Sequence, residues 1–260
     1  MPAGYLAGMQ PVANPFITPR AAQRYVEFRP DFADHLASIL ERHIGRVATA
    51  VDVGAGTGIS TRAVARLART TAAADASPEM AAAGGRASAA CWVVASAERL
   101  PFRDAAFELV VVGSALHWFH REAFAAEAAR VTRSNAYLVV HDHGFTGVMD
   151  DVPGFTGWMH HRYRRGYPAP PRGEKLAPGD DVGPFRFEAT HRYDQAVTVT
   201  RASLAGYLTT QSNLQVVMTS PRAEARILQW LEQDLDPYFQ DTPTRVVHFA
   251  GIASVLRRRT

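Results

Sequence analysis

The sequence is nearly empty of cysteine and lysine. Cys91 is the one cysteine in 260 residues, so no internal disulfide can form and no thiolate cluster can hold a metal. Lys175 is the one lysine among 28 basic residues, and 25 acids leave a net charge of +3. The arginines are scattered among those acids, apart from Arg257-Arg258-Arg259, which reads as a solvated tail rather than a nucleic-acid contact. No apolar run reaches the ~18 residues that span a bilayer. The N-terminus carries no basic segment followed by an apolar stretch, so no secretory signal is expected and the cytoplasm is the expected location. Internal repeats and an appended RNA-binding module are also lacking. A hydrophobic content of 47 % with 20 % charged residues then fits a soluble globular chain.

What is present starts with Val51-Asp52-Val53-Gly54-Ala55-Gly56-Thr57-Gly58. A short apolar strand, Ala48 to Val53, runs into three alternating glycines, and Ile59, Ala63, Val64 and Leu67 then share one helical face. Glycine suits a turn that is tight and that a ligand approaches closely, here at Gly54, Ala55 and Gly56. The helix start beyond it favours an anionic group. The dinucleotide fingerprint would place its third glycine where Ile59 stands. A second strand, Thr70 to Ala74, ends on Asp75, whose carboxylate can accept from both hydroxyls of a ribose. Ser77 and Pro78 read as the cap and first turn of the next helix. Ala76 and Met80 follow Asp75 closely, and Met80 offers a soft surface for an adenine or for the core. Cys91 to Ala95 and Phe107 to Val112 read as the third and fourth strands, the latter continuously apolar, as buried parallel sheets require.

Gly-x-Gly-x-Gly after an Asp-containing strand, Ala97-Glu98-x-Leu100-Pro101-Phe102 and Phe107-Glu108-Leu109-Val110 resemble the class I S-adenosylmethionine (SAM) methyltransferases, in the small-molecule group labelled type 11. Ser114-Ala115-Leu116-His117-Trp118-Phe119, Glu127-x-x-Arg130-Val131 and Tyr25-x-x-x-Arg29-Pro30 extend the resemblance to the trans-aconitate-methyltransferase-like group. It covers residues 20 to 145 well. The resemblance implies an α/β, Rossmann-like fold: a mostly parallel seven-stranded sheet, helices on both faces and an inserted cap. It implies SAM as cofactor and S-adenosylhomocysteine as product. Ser96 and Ala97 would meet the adenine, Tyr25 and Arg29 the methionine end, and Ser114 the cofactor at the fourth strand. Two departures stand out. Ser96 replaces the family's usual aspartate, and Arg133-Ser134-Asn135-Ala136 replaces its Lys-Pro-Gly-Gly turn, where a changed loop is expected.

The chain is expected to be one methyltransferase domain over 1–260. Residues 20–145 form the SAM core, about 146–240 the cap or lid, and 244–257 the closing strand. The fifth strand is read as Tyr137 to Asp142, a short helix around 152–165, a strand from Phe185 to Tyr193, and helices over 202–212 and 222–238.

Methyl transfer is an in-line attack on a sulfonium-bound carbon, so alignment supplies much of the rate. A carboxylate acceptor needs no base, whereas a phenol, amine or enol gains from a histidine near neutrality. His117 and His143 follow the fourth and fifth strands and are the catalytic candidates, with pocket shaping the alternative for His117. Trp118, His161, Arg162 and Tyr207 are the substrate-side candidates, since guanidinium suits carboxylates. His141-x-His143 alone does not make a metal site, and none is expected. The Asn/Asp-Pro-Pro-aromatic motif of base methyltransferases does not follow the fourth strand, and Asp236-Pro237-Tyr238-Phe239 falls elsewhere. The expected activity is methylation of a small molecule at a carboxylate or hydroxyl oxygen, without nucleic-acid or membrane partners. N- or C-methylation of a natural-product intermediate, or a non-catalytic SAM-binding scaffold, are the alternatives. Oligomeric state is left open by the sequence.

Overall fold

The computed structural model describes residues 15–259. Its N-terminal helix α1 (Pro19–Phe28) starts with Thr18 accepting from the Ala21 N–H, and α2 (Ala33–His43) follows. Next come β1 (Val47–Val53), α3 (Ile59–Ala65), β2 (Ala68–Asp75), α4 (Pro78–Ala87), β3 (Cys91–Val94), β4 (Phe107–Gly113) and α5 (Arg121–Val131). β5 (Thr132–Met149) leads to α6 (Pro153–Trp158) and β6 (Phe185–Thr200). α7 (Arg201–Thr209), α8 (Ser212–Gln215), α9 (Pro221–Leu235) and β7 (Thr244–Arg258) complete the chain.

All seven strands form one sheet in the order β3-β2-β1-β4-β5-β7-β6. β1 to β5 pair in parallel, and β7 runs antiparallel between β5 and β6. From β1 the chain moves outward to β2 and β3, then returns to β4 on the other side. That reversal opens a crevice at the carboxyl ends of β1 and β4, where open α/β sheets bind ligands. The central strands read Ala-Val-Asp-Val and Leu-Val-Val-Val because both faces are covered. One face packs Val51, Val110, Val112, Leu138 and Phe124; the other packs Leu36, Leu40, Val64, Leu109 and Val139. A third apolar cluster, with Phe155, Trp158, Tyr207, Leu231 and Phe249, joins the inserted helices to the far ends of β5 and β7.

Several expectations need correction. β5 is 18 residues long rather than ending at Asp142, because β7 supports it beyond the reach of β4. Arg133 to Ala136 lie within this strand, with a register irregularity against β4 and Asn135 at φ 61°, so no loop separates α5 from the sheet there. β6 continues past Tyr193 to Thr200. The helix expected over 152–165 is α-helical only to Trp158, and Met159–Arg164 is a π-helix. Cys91 opens an edge strand and is exposed. Among the described residues no helix is long and apolar enough to cross a membrane.

Candidate active site

The glycine loop forms where β1 stops. Gly54, Gly56 and Gly58 have φ of 69°, 56° and 86°, a region that a Cβ disfavours. The Gly54 and Ala55 N–H groups both donate to the Ala74 carbonyl, at 2.8 and 3.1 Å, which ties the loop to the end of β2. A Cβ on Gly54 would lie 2.6 Å from the Ala115 Cβ, whereas one on Gly56 would meet nothing within 4 Å. The first glycine is required by protein packing, and the second faces open space.

That space is a cavity of about 280 Å³. Gly54, Gly56, Asp75, Ala76, Met80, Ser96 and Ala97 border it on the β1–β3 side. Ser114, Trp118 and Phe119 border it from β4, while Tyr25 and Phe16 close over it. Phe16 meets Tyr25 and Trp118 edge-on, at 5.9 and 6.2 Å between ring centres. The Asp75 carboxylate accepts from the Gly56 N–H at 2.7 Å and the Ser77 N–H at 2.8 Å. Each oxygen keeps a further lone pair for a ligand. Burial pushes the Asp75 pKa upward, against these two bonds. Ser77 also caps α4, accepting from the Met80 N–H at 3.2 Å, and so fixes Met80 in the wall.

Ser96 replaces the expected acid, yet a carboxylate is present two residues later. Glu98 borders the cavity, holds the Ser96 hydroxyl and accepts from the His120 N–H at 2.8 Å. Sequence reasoning did not single out Glu98. Phe16 also went unnoticed, since no pattern ties a residue before α1 to a turn a hundred positions away.

A smaller chamber of about 40 Å³ adjoins the first and shares Tyr25, Gly54, Gly56, Gly113 and Ser114 with it. Arg29, Phe32, Ala55, Thr57, Ile59, Ser60 and His143 complete its wall. Ser114 stands in the left-handed region at φ 50°, strain of the kind that collects at functional sites. Its hydroxyl accepts from the His143 backbone N–H at 3.3 Å. The Arg29 guanidinium lies over the Tyr25 and Tyr207 rings, at 4.5 and 5.3 Å, and donates to the Thr210 carbonyl at 3.0 Å. Its Nε is buried without a partner, and it meets no carboxylate among the described residues. A ligand anion would meet an arginine ready for it.

The two histidine candidates part company. His143 borders the smaller chamber, whereas His117 borders neither. The His117 carbonyl accepts from Gly173 at 2.9 Å, and its Nε2 faces Arg172 at 3.5 Å, under the loop that follows the π-helix. Burial, with Arg172 alongside, lowers the His117 pKa to about 4. Burial, then His141 and Arg29, lower that of His143 to about 3. Neither is the neutral-pH base the sequence reading looked for. The substrate-side candidates also separate. Trp118 is in the wall, and Tyr207 is 2 % exposed behind Arg29. Arg162 and His161 are exposed residues of the π-helix, where Asp234 takes Arg162 in a two-pronged ion pair. Arg162 is thus paired with protein, while its side chain stays 62 % exposed. Among the described residues no cluster of three or more His, Cys, Asp or Glu could hold a metal.

Residues 51–140 match the family model described as a methyltransferase domain. This segment is similar to methyltransferase domains. It holds the glycine loop, Asp75, Ser96, Ala97 and Ser114, the wall of the larger cavity. The methyltransferase fold recurs in solved structures. A putative type II methyltransferase from Anaeromyxobacter dehalogenans is 23 % identical, covers 89 % of this chain and 98 % of its own, and has a TM-score of 0.70. The YcgJ protein from Bacillus subtilis is 18 % identical, with coverages of 87 % and 99 % and a TM-score of 0.52. A phosphoethanolamine N-methyltransferase from Haemonchus contortus, solved with phosphomonomethylethanolamine and S-adenosylhomocysteine, is 13 % identical. It covers 94 % of this chain and 58 % of its own, with a TM-score of 0.52. No curated protein matches the sequence.

Proposed function

We propose that this methyltransferase passes the SAM methyl group to an oxygen of a small molecule that is already ionised, with a carboxylate preferred. The observation that carries the cofactor assignment is the pair of adjoining chambers. One holds an acid poised for a ribose, and the other an arginine without a carboxylate partner. SAM has that shape: an adenosine for the 280 Å³ cavity and a methionine end for the smaller one. Asp75 takes the ribose hydroxyls. Ala76, Met80 and Ala97 flank the adenine, and Glu98, backed by Ser96, accepts from its amine. Tyr25, Arg29 and Ser114 take the methionine end.

The acceptor enters beside Trp118, under the cap built on 146–240, with Tyr207 behind Arg29. His117 and His143 are held neutral and weakly basic, which favours an acceptor that needs no proton removed. Both then serve as hydrogen-bonding groups rather than bases. Titration of the purified protein with SAM, S-adenosylhomocysteine and NAD tests the cofactor. Binding of the first two in the micromolar range, lost on Asp75→Ala and absent for NAD, is the expected result. A chain that binds neither SAM species would refute the proposal. With the cofactor secured, methyl esters should form from a panel of small acids, while phenols and amines of similar size react poorly.

A further inference from the structure

His143 is one end of a hydrogen-bond chain that runs from β5 through β6 to the turn between α1 and α2. Its Nε2 lies 3.1 Å from the Gln195 Oε1 on β6, and the Gln195 Nε2 donates to the Asp31 carbonyl at 2.9 Å. The second bond decides the first. A backbone carbonyl only accepts, so the amide nitrogen must face Asp31 and the amide oxygen must face His143. An amide oxygen only accepts too, so His143 carries its hydrogen on Nε2. Nδ1 is left with a lone pair and no hydrogen-bond partner among the described residues, it is not among the fully buried atoms that lack one, and the ring borders the smaller chamber. The ring cannot easily turn, because Phe249 stacks on it at 5.2 Å and Phe32 lies against it at 4.4 Å.

The rest of that chamber decides what Nδ1 is for. About 40 Å³ holds a small polar head group, not an acceptor molecule. Arg29 supplies one positive charge there, suited to a carboxylate. An α-amino acid also brings an ammonium, which needs an acceptor and is repelled by any imidazolium. We infer that Gln195 is a positioning residue that holds His143 as its Nε2–H tautomer, so that Nδ1 accepts from the α-ammonium of the cofactor's methionine end. The inference rests on the SAM reading above and moves His143 from the acceptor to the cofactor. It also gives a reason for an amide at position 195. A carboxylate there would orient the ring equally well, yet it would stabilise the imidazolium. The other groups facing the ring, Arg29 just after α1, His35 from α2, His141 from β5 and Tyr193 from β6, add no carboxylate. Burial keeps His143 neutral, and the amide at 195 orients the ring without adding a negative charge that would oppose it.

The test compares two ligands on the full chain. S-adenosylhomocysteine carries the amino-acid end, and 5′-methylthioadenosine lacks it. Gln195→Leu should weaken S-adenosylhomocysteine by about tenfold, the scale of one hydrogen bond to a charged group, and leave methylthioadenosine within twofold. Gln195→Glu should make S-adenosylhomocysteine affinity fall as pH drops from 8 to 6, where the wild type stays flat. Thermal melts of both variants check folding, and Gln195 sits at a half-buried position on the edge strand β6. Equal losses for the two ligands, no loss for either, or a flat pH profile for Gln195→Glu would overturn the inference. Failure of the wild type to bind S-adenosylhomocysteine would overturn the SAM reading and this inference with it.

Discussion

Asp52 shows how a residue next to the site stores a pH dependence. It is fully buried at the end of β1, and Thr61 donates to its Oδ2 at 2.7 Å while Oδ1 has no partner. Burial pushes its pKa up to about 7, opposed by the Thr61 bond and assisted by Asp75. The folded chain therefore holds a proton that the unfolded chain releases near pH 4. Stability from this group is full below about pH 4, declines as pH rises, and is gone above about pH 7. His141 and His143, lowered by burial to about 4 and about 3, act oppositely. Their contribution is present above pH 6.5 and is lost as pH falls through those values. Asp52→Asn should remove only the first effect. The variant should gain on the wild type by on the order of 1–3 kcal/mol between pH 4.5 and 8. Urea unfolding at both pH values reads this directly, and an equal difference at each would rule it out.

At the scale of elements, the glycine loop separates two reasons for glycine. Gly54→Ala drives a methyl group into Ala115 and Phe119, so it should destabilise the fold by about 2 kcal/mol or more. Gly56→Ala meets no protein atom and carries only the left-handed backbone cost, about 1 kcal/mol. It should nonetheless lose most cofactor affinity, because its Cβ occupies the ligand's approach. Melting curves beside S-adenosylhomocysteine titrations separate the two, and a Gly56→Ala protein that binds normally would contradict this. This loop was legible in the sequence because local chemistry dictates it, as were β1 and β4, whose apolar runs are buried on both faces. The later elements were less legible. His143-Gly144-Phe145 has no strand signature of its own, and only pairing with β7, a hundred residues away, keeps it extended. Arg162 looked like a substrate ligand until Asp234, seventy-two positions on, was brought beside it. Gln195 belongs to no motif, and Glu98 belongs to one that says nothing of a ligand; their importance comes from His143 and Ser96 being folded against them.

Across the whole molecule, α1 joins the cofactor cavity to the inserted helices. On one side Ala22 packs with Met80 and Ala83 of α4, and Tyr25 borders both chambers. On the other, Phe28 fills the space above Gly206, and Arg24 reaches Glu224 of α9 and the Thr209 hydroxyl of α7. Arg20 also pairs with Glu224, at 2.6 Å. The Glu224 side chain is 6 % exposed and that of Arg24 is 12 %, so this ion pair is largely desolvated. Removing one partner from such a pair leaves the other charge uncompensated, at a cost of about 3–5 kcal/mol when fully buried. Glu224→Gln keeps the shape and removes the charge. It should loosen α1 from α7 and α9 while the sheet stays folded, because no strand depends on this contact. Amide exchange should therefore accelerate in α1, α7 and α9, with the β1 and β4 amides unchanged. Since Tyr25 and Arg29 are positioned by the same helix, S-adenosylhomocysteine should bind more weakly, and saturating ligand should restore the protection of α1. Unchanged exchange in α1 would show that α4 and the core hold the helix by themselves.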